Sequence, residues 1–491
     1  MIKRNLFLKM KLKSLFLCSN SSEFVLNSSE NKIEKVIRIK GNRLLQYSAV
    51  FSASLVTFGF GSAEIWSSPA LPHLRSNSSE FTITPSQGSW VASIYNIGTI
   101  FGMLLYPLLV DRIGRKYTLL IFAMPQTISW MMIFYAKNVI HLYSARIVSG
   151  IGYGGAYPVQ IMYIGEIADK DIRGLLMFIS RIFYAIGTLS ALTAGAFLSY
   201  DNMNVTLLLF PILFILTFST MPESPYYYLK RDQEEEARKN MCRLRGFKDS
   251  ETIELELKEM KIAIIEEHKN KDNAFQILFQ DKRQRKALLI ATIVLASLLF
   301  SGTRVISAYS QDILSFSGFS LAPKYSTLLL SFLVTLIALP TAPLLDFVGR
   351  RIIALCSGII CTLSLVLIGF FFFLKYYLET TEMSSISWIP LATLIVFDVS
   401  CIGGLYPLSV VIAGELFSSR VKSTALSLLH IGKEPVVFVM KLSFDKLISL
   451  LGIYSVFWMY ASMCFLLSLG SFLIMPETKG KTLAEIQKLM D

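Results

Sequence analysis

The chain is poor in the residues on which most enzymes and secreted scaffolds depend. Its 491 residues include four histidines, His73, His141, His268 and His430, too scattered for metal-ligand spacing. It has no glycine-rich phosphate loop and no nucleophile elbow, so neither an ATP-driven pump nor a hydrolase is supported. No cofactor is implied and no enzyme is expected. Six cysteines (Cys18, Cys242, Cys356, Cys361, Cys401 and Cys464) give no disulfide framework, because none falls in a segment expected outside the cell. Charged residues are scarce at 17%. The net charge of +12 lies in the connections between apolar runs, not in one patch, which argues against a nucleic-acid partner. Leu15 to Leu17 is too short an apolar stretch for a secretory signal.

Apolar residues are what the chain has in excess: 53% of the total, with 35 phenylalanines. They sit in runs of about 20, the length that crosses ~30 Å of hydrocarbon as a helix. In lipid each backbone N–H and C=O must be satisfied within its own segment, so the runs are helices. The expected fold is an all-α integral membrane protein. Its twelve transmembrane helices fall at 47–66, 87–108, 118–136, 141–163, 175–198, 205–221, 287–309, 325–345, 352–374, 387–413, 422–444 and 452–474. Residues 222–286 form the one long polar segment between them, with 15 Lys/Arg and 14 Asp/Glu. Its apolar positions Ile253, Leu257, Met260 and Ile264 recur at helical spacing, which predicts a helical linker.

Orientation follows from the bias of basic residues towards the cytosol. With both termini inside, 37 Lys/Arg fall in inside segments and five outside: Arg75, Lys137, Lys324, Lys375 and Lys446. Residues 1–46 are then a cytosolic tail, 47–221 and 287–474 two six-helix bundles, 222–286 a cytosolic linker and 475–491 a cytosolic C-terminal tail.

The halves repeat. Asp111-Arg-Ile-Gly-Arg-Lys116 follows the second run and Asp346-Phe-Val-Gly-Arg-Arg351 the eighth. Gly165-Glu166 ends the fourth and Gly414-Glu415 the tenth. Pro222-Glu-Ser-Pro225 ends the sixth and Pro476-Glu-Thr-Lys-Gly480 the twelfth. Three paired motifs in one order indicate duplicated units about an axis along the membrane normal, the arrangement of major facilitator transporters.

With these motifs the chain resembles the sugar porter family of the major facilitator superfamily over about residues 47–485. Trp66-Ser-Ser-Pro-Ala-Leu-Pro72 and Ala308-Tyr-Ser-Gln-Asp-Ile313 are similar to the insect trehalose transporter-like branch. Arg146 with Gly150, Gly152 and Gly154 matches that family's fourth span. The resemblance implies a cytoplasmic gate of Asp111, Arg115, Lys116, Glu166, Arg173 and Glu223, answered by Asp346, Arg350, Arg351, Glu415, Lys422 and Glu477. In it, Arg115, Lys116, Arg350 and Arg351 pair with Glu166, Glu415, Glu223 and Glu477 across helix ends; the plain alternative is that these charges only fix topology.

The expected sugar site departs from the family. Sugar porters typically carry Gln-Gln-x-x-Gly-x-Asn in the seventh span, where this chain has Leu298, Leu299 and Arg304. Pro407-Leu-Ser-Val410 lacks the family's tenth-span tryptophan, and Gly432-Lys433 stands for its eleventh-span Asn-Trp. Five basic residues lie within runs: Arg146, Arg181, Arg304, Lys433 and Lys441, against Glu64, Asp398 and Glu434. A charge near a helix centre costs roughly 2.5–3.5 kcal/mol on insertion scales, so each should meet water or a partner. Lys441 is expected to snorkel from a span end, and Arg181 either to snorkel or to face a cavity. Lys433, Glu434 and Asp398 form either an ion cluster or a wet wall. Arg304 either faces the cavity or neutralises Asp398 or Glu434. Glu64 beside Arg146 is a static pair or, by analogy with proton-coupled members, a titrating one, although the family's acid aligns with Gly61.

The candidate substrate contacts are therefore Arg181, Arg304, Tyr309, Lys433 and Glu434, with Glu64 and Arg146 for proton coupling. The expected partners are a small hydrophilic solute, a sugar such as trehalose or a hexose first, and the bilayer of the plasma membrane, with the chain working as a monomer. An anionic solute, proton coupling, or a receptor that binds solute without moving it remain the alternatives. Asn77, in the first outside loop, is the expected N-glycosylation site. Asn20 and Asn27 lie in the cytosolic tail, and Asn204 sits close to the membrane.

Overall fold

The structure, a computed structural model, describes residues 42–246, 250–271, 274–338, 349–379, 383–418, 420–481 and 485–486. Among them nine helices are long and apolar enough to cross a membrane: Leu44–Arg75, Pro85–Ile113, Arg115–Phe134, Arg173–Phe197, Tyr200–Phe218, Lys282–Ala308, Arg350–Tyr376, Ile389–Leu416 and Ile453–Ile474. Val139–Ile167, Pro323–Ala338 and Lys422–Leu451 complete twelve spans, named first to twelfth below in chain order. Two of these three are long but polar. The fourth carries Arg146 and Glu166, and the eleventh carries Lys433, Glu434, Lys441 and Asp445. The eighth stops where the described residues stop; Asp346 lies outside them.

The pairing of spans repeats as the motifs do. The first span packs on the fourth, fifth and sixth, the second on the fourth, and the third on the fourth and sixth. The seventh packs on the tenth, eleventh and twelfth, the eighth on the tenth, and the ninth on the tenth and twelfth. Between the halves the second span lies on the eleventh and the fifth on the eighth. Small residues permit the closest approaches. A Cβ on Gly150 would stand 2.2 Å from the Tyr95 carbonyl oxygen, and one on Gly154 2.4 Å from that of Thr99.

Three spans are less regular than apolar periodicity predicts. The first turns at Trp66 and continues as Ser67–Arg75. The seventh breaks at Gly302, whose φ of 81° is left-handed, so Lys282–Phe300 is followed by Thr303–Ala308 and Ser310–Ser317. A side chain there would also strike Tyr460. The tenth passes through a π-helical stretch, Cys401–Leu405. Such wide turns recur at functional sites.

Four helices, Pro225–Lys230, Glu234–Arg245, Ser250–Lys271 and Ala274–Gln280, occupy the polar segment between the sixth and seventh spans. Ile253, Leu257 and Ile264 are buried with Leu229, Ala237 and Met241, and Met260 packs against them, so the apolar stripe does find a partner.

Candidate functional site

One cavity, with about 1080 Å³ of empty space including its opening to solvent, lies on the seam between the halves. Phe60, Tyr95, Tyr153 and Tyr157 line it from the first half, and Leu298, Leu299, Tyr406 and Val437 from the second. Glu64, Asn96, Arg304, His430, Lys433 and Glu434 supply its polar groups.

The charges are paired. Arg304 forms an ion pair with Glu64, whose other oxygen accepts from the Tyr184 hydroxyl at 2.8 Å. Lys433 Nζ lies 3.6 Å from Glu434 Oε1, and Asn96 Nδ2 donates to Glu434 Oε2 at 2.7 Å. Glu64 and Asn96 belong to the first half, Arg304 and Glu434 to the second, so both links cross the seam.

Several expectations are corrected here. Glu64 and Arg146 do not pair. Arg146 is fully buried and donates to the carbonyls of Ala63 (2.8 Å) and Val91 (3.3 Å), with the rings of Trp66 and Tyr95 over its guanidinium. Arg304 meets neither Asp398 nor Glu434. Asp398 is buried and has no ion pair among the described residues, so it forms no cluster with Lys433. Lys441 does not snorkel: it is 1% exposed, because the eleventh span runs on to Leu451 and leaves it far from a helix end. Tyr309 is also buried. Its hydroxyl donates to the Lys441 carbonyl at 3.0 Å and its ring packs on Phe444, away from the cavity lining. Arg181 crosses to the second half, donating to the Ile402 carbonyl at 3.0 Å with Tyr406 under its guanidinium.

The seam is shut at the end that carries residues 76–84. Arg75 reaches Asp312 and Asp445, each at 2.9 Å, and Ser89 donates to Asp445 at 2.8 Å. Beneath them Ser67 donates to the Ala308 carbonyl (3.2 Å), and Ser68 and Ser310 share a hydrogen bond of 2.8 Å. None of these contacts enters the sequence reading, where Arg75 is only a topology marker. The one available signal was Asp312, the single acid of Ala308-Tyr-Ser-Gln-Asp-Ile313.

At the opposite end the duplicated motifs form two matching clusters. In the first half Arg115 binds Glu166 at 2.8 Å, Ser224 donates to Glu166, and Glu223 accepts the Arg115 amide at 3.0 Å and both of its oxygens the Lys116 amide. In the second, Arg350 binds Glu415 at 3.0 Å, Thr478 donates to Glu415 at 2.5 Å, and Glu477 accepts the Arg350 and Arg351 amides at 3.1 Å. Gly114 and Gly349, with φ of 91° and 99°, bring those amides to the carboxylates, and a Cβ on Gly114 would collide with Glu223. Asp111 accepts from Lys230 at 3.1 Å. Arg173 and Lys422 are exposed, and among the described residues the Arg173 side chain reaches the Ala168 carbonyl and no carboxylate. Each of these pairs stays inside its own half, so in this conformation, among the described residues, they fasten helix ends within each bundle.

The two clusters hold their carboxylates in different environments. Burial pushes Glu223 up to about 7, against the amides that donate to it. Burial also raises Glu477, but three amides outweigh it and hold that carboxyl below its usual range. Arg115 is 1% exposed and Glu166 14%, whereas Arg350 and Glu415 are 10% and 27% exposed. Glu166→Ala is therefore expected to lower thermal stability more than Glu415→Ala, by about 2 kcal/mol against about 1. Melting of the two detergent-solubilised variants checks this, and equal shifts would refute the ranking.

Two helical bundles with a polar cavity on their seam, latched by ion pairs at the end that carries residues 76–84, form the arrangement of the major facilitator fold. The chain belongs to the sugar (and other) transporter family, whose model matches residues 40–490. It is 29% identical over 449 residues to a facilitated trehalose transporter of Anopheles gambiae, covering 91% of this chain and 56% of that one. It is 29% identical over 445 residues to a facilitated trehalose transporter of Bombyx mori, covering 90% and 86%. Among solved structures it is similar to the xylose transporter XylE of E. coli in an inward open conformation. The TM-score is 0.76 at 20% identity, covering 91% of this chain and 100% of that one.

Proposed function

We propose that this chain carries a neutral sugar by facilitated, alternating access, and that insect-type trehalose or hexose transport is its activity. The observation that carries this reading is the pairing of the cavity charges. Arg304 has Glu64 and Lys433 has Glu434, so among the described residues the cavity offers no unpaired Arg or Lys to an anion. Phe60, Tyr95, Tyr157 and Tyr406 give it aromatic faces, which suit the C–H face of a sugar ring. Residues 47–221 and 287–474 act as the two rocking halves, 222–286 as their cytosolic linker, in a plasma-membrane monomer with both termini inside.

Labelled trehalose, glucose and organic anions offered to cells expressing the chain provide the test. Sugars should enter above the no-protein control and anions should not. Uptake of an anion and no sugar would overturn the proposal. Because Arg146 is held by two carbonyls and Glu64 by Arg304, uptake should also persist when the proton gradient is collapsed.

This orientation puts the 76–84 loop outside. Asn77 is exposed there, while Asn204 is fully buried and accepts from the Trp66 indole at 2.8 Å. Glycan is therefore expected on Asn77 alone among the described sequons. Treatment with a deglycosylating enzyme should shift the wild-type band and leave Asn77→Gln unmoved; a shift in the variant would reverse the orientation or add a site.

A further inference from the structure

Before its break at Gly302, the seventh-span wall of the cavity is apolar: Ala291, Leu295, Leu298 and Leu299 line it, and Arg304 beyond the break is taken up by Glu64. A hydroxylated solute lying there must find its hydrogen bonds on other elements. The second span, packed on the eleventh, offers them. Asn96, 4% exposed, uses its Nδ2 on Glu434, while its Oδ1 has no hydrogen-bond partner among the described residues. The neighbouring Tyr95 hydroxyl, on a side chain 2% exposed, has none either. Both residues line the cavity, together with Glu434 and Lys433. Buried polar atoms in folded proteins are almost always satisfied, and those that are not call for a specific cause. The hydroxyl of Tyr153, which also lines the cavity, has no hydrogen-bond partner among the described residues either, and a polar solute bound in the cavity would satisfy such atoms.

We propose that Tyr95 and Asn96 form the hydroxyl-reading subsite of this cavity. This rests on the carrier reading above and names the part of the solute that is recognised. Asn96 Oδ1 accepts from one solute hydroxyl. Glu434, held in place by Asn96 Nδ2, accepts from the adjacent one. The Tyr95 hydroxyl donates to a third oxygen. Carbonyl and carboxylate oxygens read donors, so the ligand class is a neutral solute with vicinal hydroxyls, its apolar face turned to Leu298 and Leu299. Because Asn96 and Glu434 come from opposite halves, the same contact joins solute occupancy to closure of the seam.

A purely structural Asn96, stapling the second span to the eleventh, predicts different behaviour. It would weaken transport of every sugar equally, whereas a reading residue singles out one hydroxyl. The experiment reconstitutes the chain in liposomes and uses the sugar it carries fastest, competed by the monodeoxy analogues of that sugar. For the wild type, removing the hydroxyl read by Asn96 should weaken competition about tenfold. Asn96→Ala should raise KM for the parent sugar about tenfold and should lose its discrimination against that one analogue. Tyr95→Phe should do the same at a different position. Asn96→Ser serves if the alanine variant does not reach the membrane. Equal losses across the whole deoxy series, or none, overturn the subsite while leaving the carrier intact. A wild-type chain that moves no sugar overturns the carrier reading and the subsite with it.

Discussion

Arg304→Asn by itself should leave little protein in the membrane, and Glu64→Gln introduced beside it should bring the protein back. Arg304 and Glu64 face each other across the seam, at 23% and 12% side-chain exposure. Removing the guanidinium leaves a carboxylate in a site that water reaches poorly, a change that costs about 3–5 kcal/mol when a buried pair is broken. That is a large share of a total stability of about 5–15 kcal/mol. The double variant replaces the pair with two amides that can bond each other, so neither partner is stranded. Surface abundance of the two single variants and the double, measured in the same cells, checks the pairing. An Arg304→Asn protein that appears at wild-type levels would show that Glu64 is neutralised by something else. If the double variant folds, its uptake profile isolates what the pair does in transport, free of its effect on abundance.

The helix count and the duplicated order of motifs were legible in the sequence because both depend on local patterns. An apolar run must be a helix in lipid, and Gly114-Arg115-Lys116 has its echo in Gly349-Arg350-Arg351. The carboxylates that hold these loops, Glu223 and Glu477, stand in the repeated motifs themselves, which is why the sequence offers them as candidates. Which partner each arginine takes was not legible. A motif gives the sign of a charge and its end of the helix, not the bundle its neighbour comes from. The structure keeps Arg115 with Glu166 and Arg350 with Glu415, inside their own halves. The central pair was misjudged for a related reason. Glu64 and Arg146 are set together by analogy, whereas Arg304, just past the break at Gly302, is the residue that meets Glu64. The break does not change hydropathy, so a periodicity argument passes over it. Lys441 shows the converse error: its distance from a span end was judged from apolar residues alone, and the helix continues through polar ones.

Arg75→Ala should release the shut end of the seam. Arg75 belongs to the first half and takes two carboxylates of the second, Asp312 and Asp445, all three side chains being less than a quarter exposed. No other basic residue reaches either acid through an ion pair among the described residues, so the variant loses both charge-assisted bonds at once. Each such bond is worth about 1.5–3 kcal/mol, and the two acids left behind repel one another. The conformer shut at this end should lose about 3 kcal/mol relative to the one open there, roughly a hundredfold in population. The Arg115–Glu166 and Arg350–Glu415 pairs stay within their halves and are not disturbed by the motion. The protein should therefore remain folded while its access changes. Ser310→Cys makes the change measurable, because Ser310 is 1% exposed and bonded to Ser68 at the closed seam. A membrane-impermeant maleimide applied from outside should label that cysteine slowly in an otherwise wild-type chain and much faster with Arg75→Ala. Asp445→Asn, which removes one of the two bonds, should give an intermediate rate. Labelling that is equally slow in all three would mean that the serine contacts and the packing beneath them hold the end shut without Arg75, and the latch would have to be sought between Glu64 and Arg304.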